Sequence, residues 1–496
     1  MQHSPADKGG LHVATPSRSG VLFVDLDGTL IKSDMLLEGM LLAVKRQPAA
    51  LLTSICWMVR SRAMMKRTLS QRVTPDVKGL PFRREVLDLI EDQKSQGVRI
   101  VLATACDRLW AEAVGRELAL FDDILASDGS LNLKGAAKLA AIQAYCQEKG
   151  FLDFHYLGDS RADLAIWKCA AQVGVVAPSN RLLKQIRQCS QGTVQTLCQP
   201  TRHWLAALRA MRPQQWVKNV LLFAPLVLAH QFTDLPKLLA ALLCFTAFCS
   251  CASATYVLND LLDLSADRRH PRKCRRAFAS GNLPLSWGPP LVAGLLLLGL
   301  GSACAALPGT FVGSLGLYVV LTLLYSFWLK RKVMIDVLLL AGLYTLRIVA
   351  GGFGTGVPVS EWLMAFSLFL FTSLAFGKRY IELSAMTEDS EVDARGRGYM
   401  VSDLGLLESV GPTSAYIAVL VLALYIHGDT VKQLYPRPWA LWLICPLFLY
   451  WVNRFWILAK RRVLSDDPLV FAFKDRVSLA LGAISALLML LAAWPA

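Results

Sequence analysis

Residues 259–276 read NDLLDLSADRRHPRKCRR and follow an apolar run, Leu238–Leu258, long enough to cross a bilayer as a helix. Asp260, Asp263 and Asp267 stand three and four residues apart, a spacing that predicts one face of a helical turn. Like charges on one face repel unless a cation is bound or water solvates them. Arg268, Arg269, Arg272, Lys273, Arg275 and Arg276 follow at once. An acidic face with a basic tail reads as a grip on a metal-bound, highly anionic group at a membrane edge. A solvated exit loop would explain the basic residues but not the aligned aspartates.

Working outward, the 496 residues are 54% hydrophobic, but unevenly so. Residues 1 to about 205 carry charges throughout, whereas from about 219 onward apolar runs recur with charges confined between them. This predicts a soluble domain followed by an integral membrane domain. The net charge of +15 fits loops on the cytoplasmic side of a membrane protein, and no nucleic-acid-binding motif is present. Twelve cysteines without CxxC spacing do not suggest a disulfide framework. The polar start, MQHSPADKGGLHVATPSRSG, lacks the apolar core of a signal peptide, so the first domain is expected in the cytoplasm.

In the soluble half, VLFVDL (21–26) is a short β-type run leading into Asp25-Leu26-Asp27-Gly28-Thr29. Two aspartates one residue apart at a strand end project into one loop, and Gly28 lets the chain turn there. Such a pair suits nucleophile and acid/base work on a phosphate. A second strand, VRIVLA (98–103), ends at Thr104; Lys134 lies in LNLKGAAK; a third strand from Phe154 leads into Gly158-Asp159-Ser160-Arg161-Ala162-Asp163. In order and content these segments resemble the haloacid dehalogenase-like phosphohydrolase superfamily over roughly residues 20–195. The resemblance implies Asp25 as nucleophile, Asp27 as general acid/base, and Thr104 and Lys134 as holders of the phosphoryl group, with Lys138 a rival for the lysine. It also implies Mg²⁺ on Asp25, Asp159 and Asp163. Residues 33–95 read as a helical cap, within which Leu51–Val59 is too short to span a bilayer. It is expected to pack in the cap, with a membrane-surface segment bearing Arg60, Arg62, Lys66 and Arg67 as the alternative.

The membrane half shows nine apolar segments, near 218–233, 238–258, 287–306, 309–329, 333–352, 361–380, 412–427, 437–453 and 477–494. With nine spans, 19 Lys and Arg fall in loops on one side and 3 on the other, placing the Asp-rich side in the cytoplasm and the C-terminus outside.

NDxxDxxxD and its basic tail resemble the first metal-diphosphate motif of the UbiA-type intramembrane prenyltransferase superfamily, over roughly residues 205–496. The second acidic motif of that superfamily is reduced here to Asp336 in YSFWLKRKVMID (325–336). MRPQQWVKN (211–219), His270-Pro271-Arg272-Lys273, Tyr325-Ser326, Asp336, Arg347, Ala350-Gly351-Gly352 and GKRYIEL (377–383) together resemble the polyprenyl-phosphate phosphoribosyltransferase branch. That branch moves phosphoribose from phosphoribosyl diphosphate to a lipid phosphate. The resemblance implies Mg²⁺ on Asp260, Asp263 and Asp267, and substrate contacts from Lys218, Asn259, Lys273, Arg276, Tyr325, Lys330, Asp336, Arg347, Lys378 and Arg379. His270, before a proline, reads as structural.

The expected architecture is therefore multidomain. A cytosolic α/β Rossmann-like domain with a helical cap spans 20–200, and an entry segment spans 201–217. An all-α bundle of nine transmembrane helices spans 218–496. The expected activity is a membrane phosphoribosyltransferase with a fused phosphatase, Mg²⁺ acting in both domains, at the bacterial inner membrane. The alternative is an aromatic prenyltransferase using a polyprenyl diphosphate. Phosphoribosyl diphosphate, a polyprenyl phosphate and the membrane are the expected partners, without nucleic acid; a homo-oligomer is left open.

Overall fold

The computed structural model describes residues 20–46, 62–385, 398–464 and 468–494. The expectation for Leu51–Val59 and Arg60 lies outside these residues. The chain divides into two compact units. One is Met1–Ala210 with Asp260–Pro289; the other is Met211–Asn259 with Pro290–Ala496. Residues 260–289, read with the membrane half from sequence, thus pack with the soluble half.

The first unit is built on six parallel strands: β1 (Val21–Val24), β2 (Arg99–Asp107), β3 (Asp123–Ser127), β4 (Phe154–Gly158), β5 (Gln172–Val176) and β6 (Thr193–Leu197). Their order is β3-β2-β1-β4-β5-β6. β1 is buried at every position, as expected for a central parallel strand covered on both faces. Leu22 and Val24 join the core with Val86, Ile90, Trp110 and Val114 on one face. Val21 and Phe23 join Ile142, Tyr145, Ile166 and Trp167 on the other. The helices supplying these layers are α1 (Met35–Arg46), α2 (Arg62–Arg72), α3 (Arg84–Ser95), α4 (Arg108–Leu118), α5 (Ala136–Lys149), α6 (Asn180–Cys189) and α7 (His203–Ala210). Strand order reverses between β1 and β4, and a crevice outside the carboxyl ends of strands opens at such a switch point. Asp25 follows β1 and Asp159 follows β4, so the fold brings the two acidic motifs to that crevice.

Past α7, Pro213–Phe223 is 3₁₀-helical and Ala224–Leu228 is one short turn of α-helix. The expected first span, 218–233, is therefore not one continuous helix. Pro225 stands in the first turn of the short α-helix, where a proline's missing N–H is tolerated, and the change from 3₁₀ to α geometry there divides the segment. The long helices are α8 (Leu235–Leu262), α10 (Gly288–Ala306), α11 (Gly309–Phe327), α12 (Ile335–Thr355), α13 (Glu361–Ser384), α14 (Leu404–His427), α15 (Ile444–Lys460) and α16 (Arg476–Ala493), with a short α9 (Leu264–Arg269) between α8 and α10. Among the described residues, seven helices are long and apolar enough to cross a membrane, not nine. The chain is an integral membrane protein with an α/β domain.

Trp110 ties α4 to the end of α2: it is fully buried and its indole N–H donates to the Val73 carbonyl at 2.9 Å. Trp110→Ala should cost about 3–5 kcal/mol of local stability. Hydrogen exchange on the full-length protein should then show α4 and β2 amides opening roughly a hundredfold faster or more.

Candidate functional site

The crevice at the carboxyl ends of β1 and β4 is a cavity of about 800 Å³ whose lining includes Asp25, Asp27, Gly28, Lys66, Arg83, Lys134, Lys138, Asp159 and Asp163. The Asp25 N–H donates to the Leu157 carbonyl at 2.9 Å, which locks the loop after β1 against the end of β4. Gly28 has φ +76°, and a Cβ there would sit 2.1 Å from Asp159 Oδ2, so only glycine lets the two acidic loops approach this closely.

Lys138 organises the floor. Its Nζ lies 2.9 Å from Asp25 Oδ2 and 3.7 Å from Asp163 Oδ1, and it donates to the Tyr156 hydroxyl at 3.0 Å. Tyr156 in turn donates to Asp163 at 2.8 Å. Lys134, expected in this role, is exposed on the cavity wall. The physical reason is the start of α5: residue 134 precedes the helix, while residue 138 lies one turn inside it and points to the floor. Tyr156 and Arg83, whose Nε donates to the Gly28 carbonyl at 3.2 Å, carried no signal in the sequence reading.

Thr104 lies beneath the cavity wall. It is fully buried, its hydroxyl accepts the Cys106 N–H at 3.0 Å, and the cavity wall there is Ala105, Cys106 and Asp107. β2 runs three residues further than the apolar pattern implies, with its pairing to β3 shifting between Thr104 and Asp107. From the cap, Lys66 reaches into the cavity and donates to the Ala105 carbonyl at 2.6 Å and to Asn132 at 2.9 Å.

Burial raises Asp25, Asp27 and Asp159 alike above the usual carboxylate range, with Lys138 opposing the rise at Asp25. Burial, then the nearby charge of Asp34, pushes Asp27 well above the usual carboxylate range, while the Met35 N–H donates to it at 2.8 Å. A carboxyl kept protonated can give a proton to a leaving oxygen. Burial, then the charges of Asp25 and Asp163, pushes Asp159 up to about 7. Oxygens of Asp25, Asp159 and Asp163 lie within 4.8 Å of one another. Crowded oxygen donors whose charge is costly to hold alone fit a hard divalent cation.

The Asp-rich segment is arranged differently from the sequence expectation. α8 ends at Leu262 and α9 begins at Leu264, so Asp263 falls at a break and the three aspartates do not share one helical face. Asp260 and Asp267 are buried and converge on one guanidinium nitrogen of Arg276, at 3.1 and 2.5 Å. Asp263 pairs with Lys45 at 2.9 Å. Lys273 is half-buried in a 3₁₀ turn, and His270 Nδ1 accepts the N–H groups of Arg272 and Lys273, a structural role as expected.

In the second unit, two buried networks gather most of the remaining candidates. Arg347 donates to Asn219 at 2.9 Å, to the Leu343 carbonyl and to the Tyr318 hydroxyl at 3.1 Å. Lys218 lies 5.6 Å from the Tyr344 ring that Arg347 also covers. Arg379 donates to Asp336 at 2.5 Å, to Glu382 and to the Tyr325 hydroxyl at 2.9 Å, and Asp336 also accepts from Tyr399 at 2.8 Å. Arg379 and Asp336, both expected among the substrate contacts, pair with one another away from solvent. Asn259, Lys330 and Lys378 are half-buried.

Residues 220–477 match the UbiA prenyltransferase family, and residues 22–168 match the haloacid dehalogenase-like hydrolases. The uncharacterized protein y4nM of Sinorhizobium fredii is 38% identical over 472 residues, covering 94% of this chain and 89% of that protein. The nodulation protein NoeC of Azorhizobium caulinodans is 38% identical over 273 residues, covering 54% of this chain and 87% of that protein. Decaprenyl-phosphate phosphoribosyltransferase of Corynebacterium glutamicum is 37% identical over 179 residues, covering 36% of this chain and 54% of that enzyme. The paired aspartates, the buried lysine and the apolar helices thus sit in a chain that belongs to the UbiA prenyltransferase family and carries a haloacid dehalogenase-like hydrolase domain at its N-terminal end.

Proposed function

We propose that the chain makes a lipid-linked ribose in two steps. In the first, C1 of phosphoribosyl diphosphate bonds to an oxygen of a polyprenyl phosphate as its bond to the diphosphate breaks. The acceptor is already an anion, so no strong base is needed, and positioning and charge neutralisation carry the step. In the second, the 5-phosphate is removed. The observation that carries the reading is the co-occurrence, in one chain, of a phosphohydrolase-type site and a segment similar to decaprenyl-phosphate phosphoribosyltransferase.

The hydrolytic step follows from the first unit's own residues. Asp25 attacks phosphorus, the ester P–O bond breaks, and Asp27 delivers its proton to the departing sugar oxygen. Water then attacks the aspartyl-phosphate with Asp27 accepting its proton, releasing inorganic phosphate and restoring Asp25. Lys138, 2.9 Å from Asp25, fixes the attacking carboxylate and offsets charge on the phosphoryl oxygens. Asp25, Asp159 and Asp163 would hold Mg²⁺, which supplies further neutralisation of those oxygens. At the transfer site, Asp260 and Asp267 already converge on a cationic atom of Arg276, so that pair would hold a cation with Asp263 outside it. Lys218, Asn259, Lys273, Tyr325, Lys330 and Lys378 would face the anionic substrates, and Arg347, Arg379 and Asp336 would position them.

Purified full-length protein given radiolabelled phosphoribosyl diphosphate and a polyprenyl phosphate should form labelled lipid, and Asp25→Asn should accumulate its 5-phosphorylated form. Identical products from both proteins would overturn the two-step scheme. Turnover only with a prenyl diphosphate and an aromatic acceptor would replace it with aromatic prenyl transfer. For the phosphatase step, Lys138→Met should lose about 100-fold or more in kcat, whereas Lys134→Met should stay within a few-fold, measured as phosphate release. Chelation of divalent cations should stop phosphate release, and Mg²⁺ should restore it.

A further inference from the structure

The cavity that holds Asp25 is not closed by the α/β domain alone. Gly281, Pro284, Leu285 and Ser286, from the segment that follows the Asp-rich stretch, line it as well. This wall is built in rather than draped over the surface. Phe278, Ala279, Leu283 and Leu285 are buried. Gly281 has φ +71°, and a Cβ there would sit 2.4 Å from the side chain and 2.7 Å from the carbonyl of Lys32, just after the nucleophile loop. The His203 ring meets the Asn282 carbonyl at 3.3 Å.

One ion pair anchors the segment. Arg268 donates through two nitrogens to Glu38 of α1, at 3.1 and 2.6 Å, and through Nε to the Ala279 carbonyl at 3.2 Å. Both side chains are almost wholly buried, and Glu38 also accepts from the Ser33 hydroxyl. A bidentate buried pair fixes geometry, and removing one partner strands a charge. Arg268 therefore links the cap, the wall and the loop carrying Asp25 in a single array.

We propose that residues 281–286 are the specificity wall of the phosphohydrolase cavity, with Glu38 and Arg268 as its positioning residues. The proposal rests on the phosphohydrolase reading and names its substrate class. The phosphate end of the cavity is charged, with Asp25, Asp27, Lys66 and Lys138. Pro200, Thr201, Pro284, Leu285 and Ser286 add uncharged lining, with Lys32 and His203 beside the wall segment. This lining fits the uncharged polyol body of a sugar phosphate monoester. A cavity of about 800 Å³ takes more than a free pentose phosphate, leaving room for a group attached at the other end of the sugar.

The test compares ribose 5-phosphate with p-nitrophenyl phosphate, using full-length wild type, Arg268→Glu, Glu38→Arg and the double swap. Each single variant should raise KM for ribose 5-phosphate about tenfold or more while kcat for p-nitrophenyl phosphate holds within a few-fold, and the double swap should recover the wild-type ratio. Ser286→Trp, a change at an exposed position, should raise the same KM even where the charge variants fail to fold. A single substrate ratio shared by all folded variants overturns the wall while leaving the phosphohydrolase reading intact. A wild type that hydrolyses neither ester overturns that reading and the proposal with it.

Discussion

A single buried ammonium holds the hydrolytic site together. Lys138 stands between Asp25 and Asp163, and without it three carboxylates would face one another in a poorly solvated crevice. Mutual repulsion of that kind drives carboxylates to take up protons, and a protonated Asp25 could not serve as the nucleophile proposed for it. The sheet order that opens the crevice and the first turn of α5 that delivers the lysine are therefore parts of one constraint. Tyr156 completes it by linking the lysine to Asp163.

What the sequence revealed of this site followed the range of the interaction. Asp25 and Asp27 were legible because their chemistry is local, two acids closing a buried apolar run. The choice between Lys134 and Lys138 was not, because both fit the motif and only the first residue of α5 decides which one points inward. The end of β2 was hidden for a similar reason: a β-strand need not stop where its apolar residues do, and β2 continues through Asp107. The α/β class and the separation of α/β and membrane segments were readable from three apolar strands and from charge distribution, whereas β3, β5, β6 and the strand order came only with the structure.

The membrane half was harder to read for two physical reasons. A proline stands where the first apolar segment divides, so hydrophobicity alone overstates its helix. Pairings such as Asp336 with Arg379, 43 residues apart, leave no trace in spacing. Each residue alone looks like a ligand for an anion or a hydroxyl. Together with Glu382 and Tyr399 they form one buried network, and a network of this kind fixes the relative placement of the helices that carry it.

The compact unit that holds the hydrolytic site is discontinuous in the chain: it closes at Ala210, resumes at Asp260 and ends at Pro289. This limits how the protein can be divided. A fragment ending at residue 210 would keep every acid of the hydrolytic motifs yet leave Glu38 buried without its arginine and the cavity without one side. The two compact units are therefore not beads on a string that gene fission could part cleanly, because residues 211–259 interrupt the chain of the first.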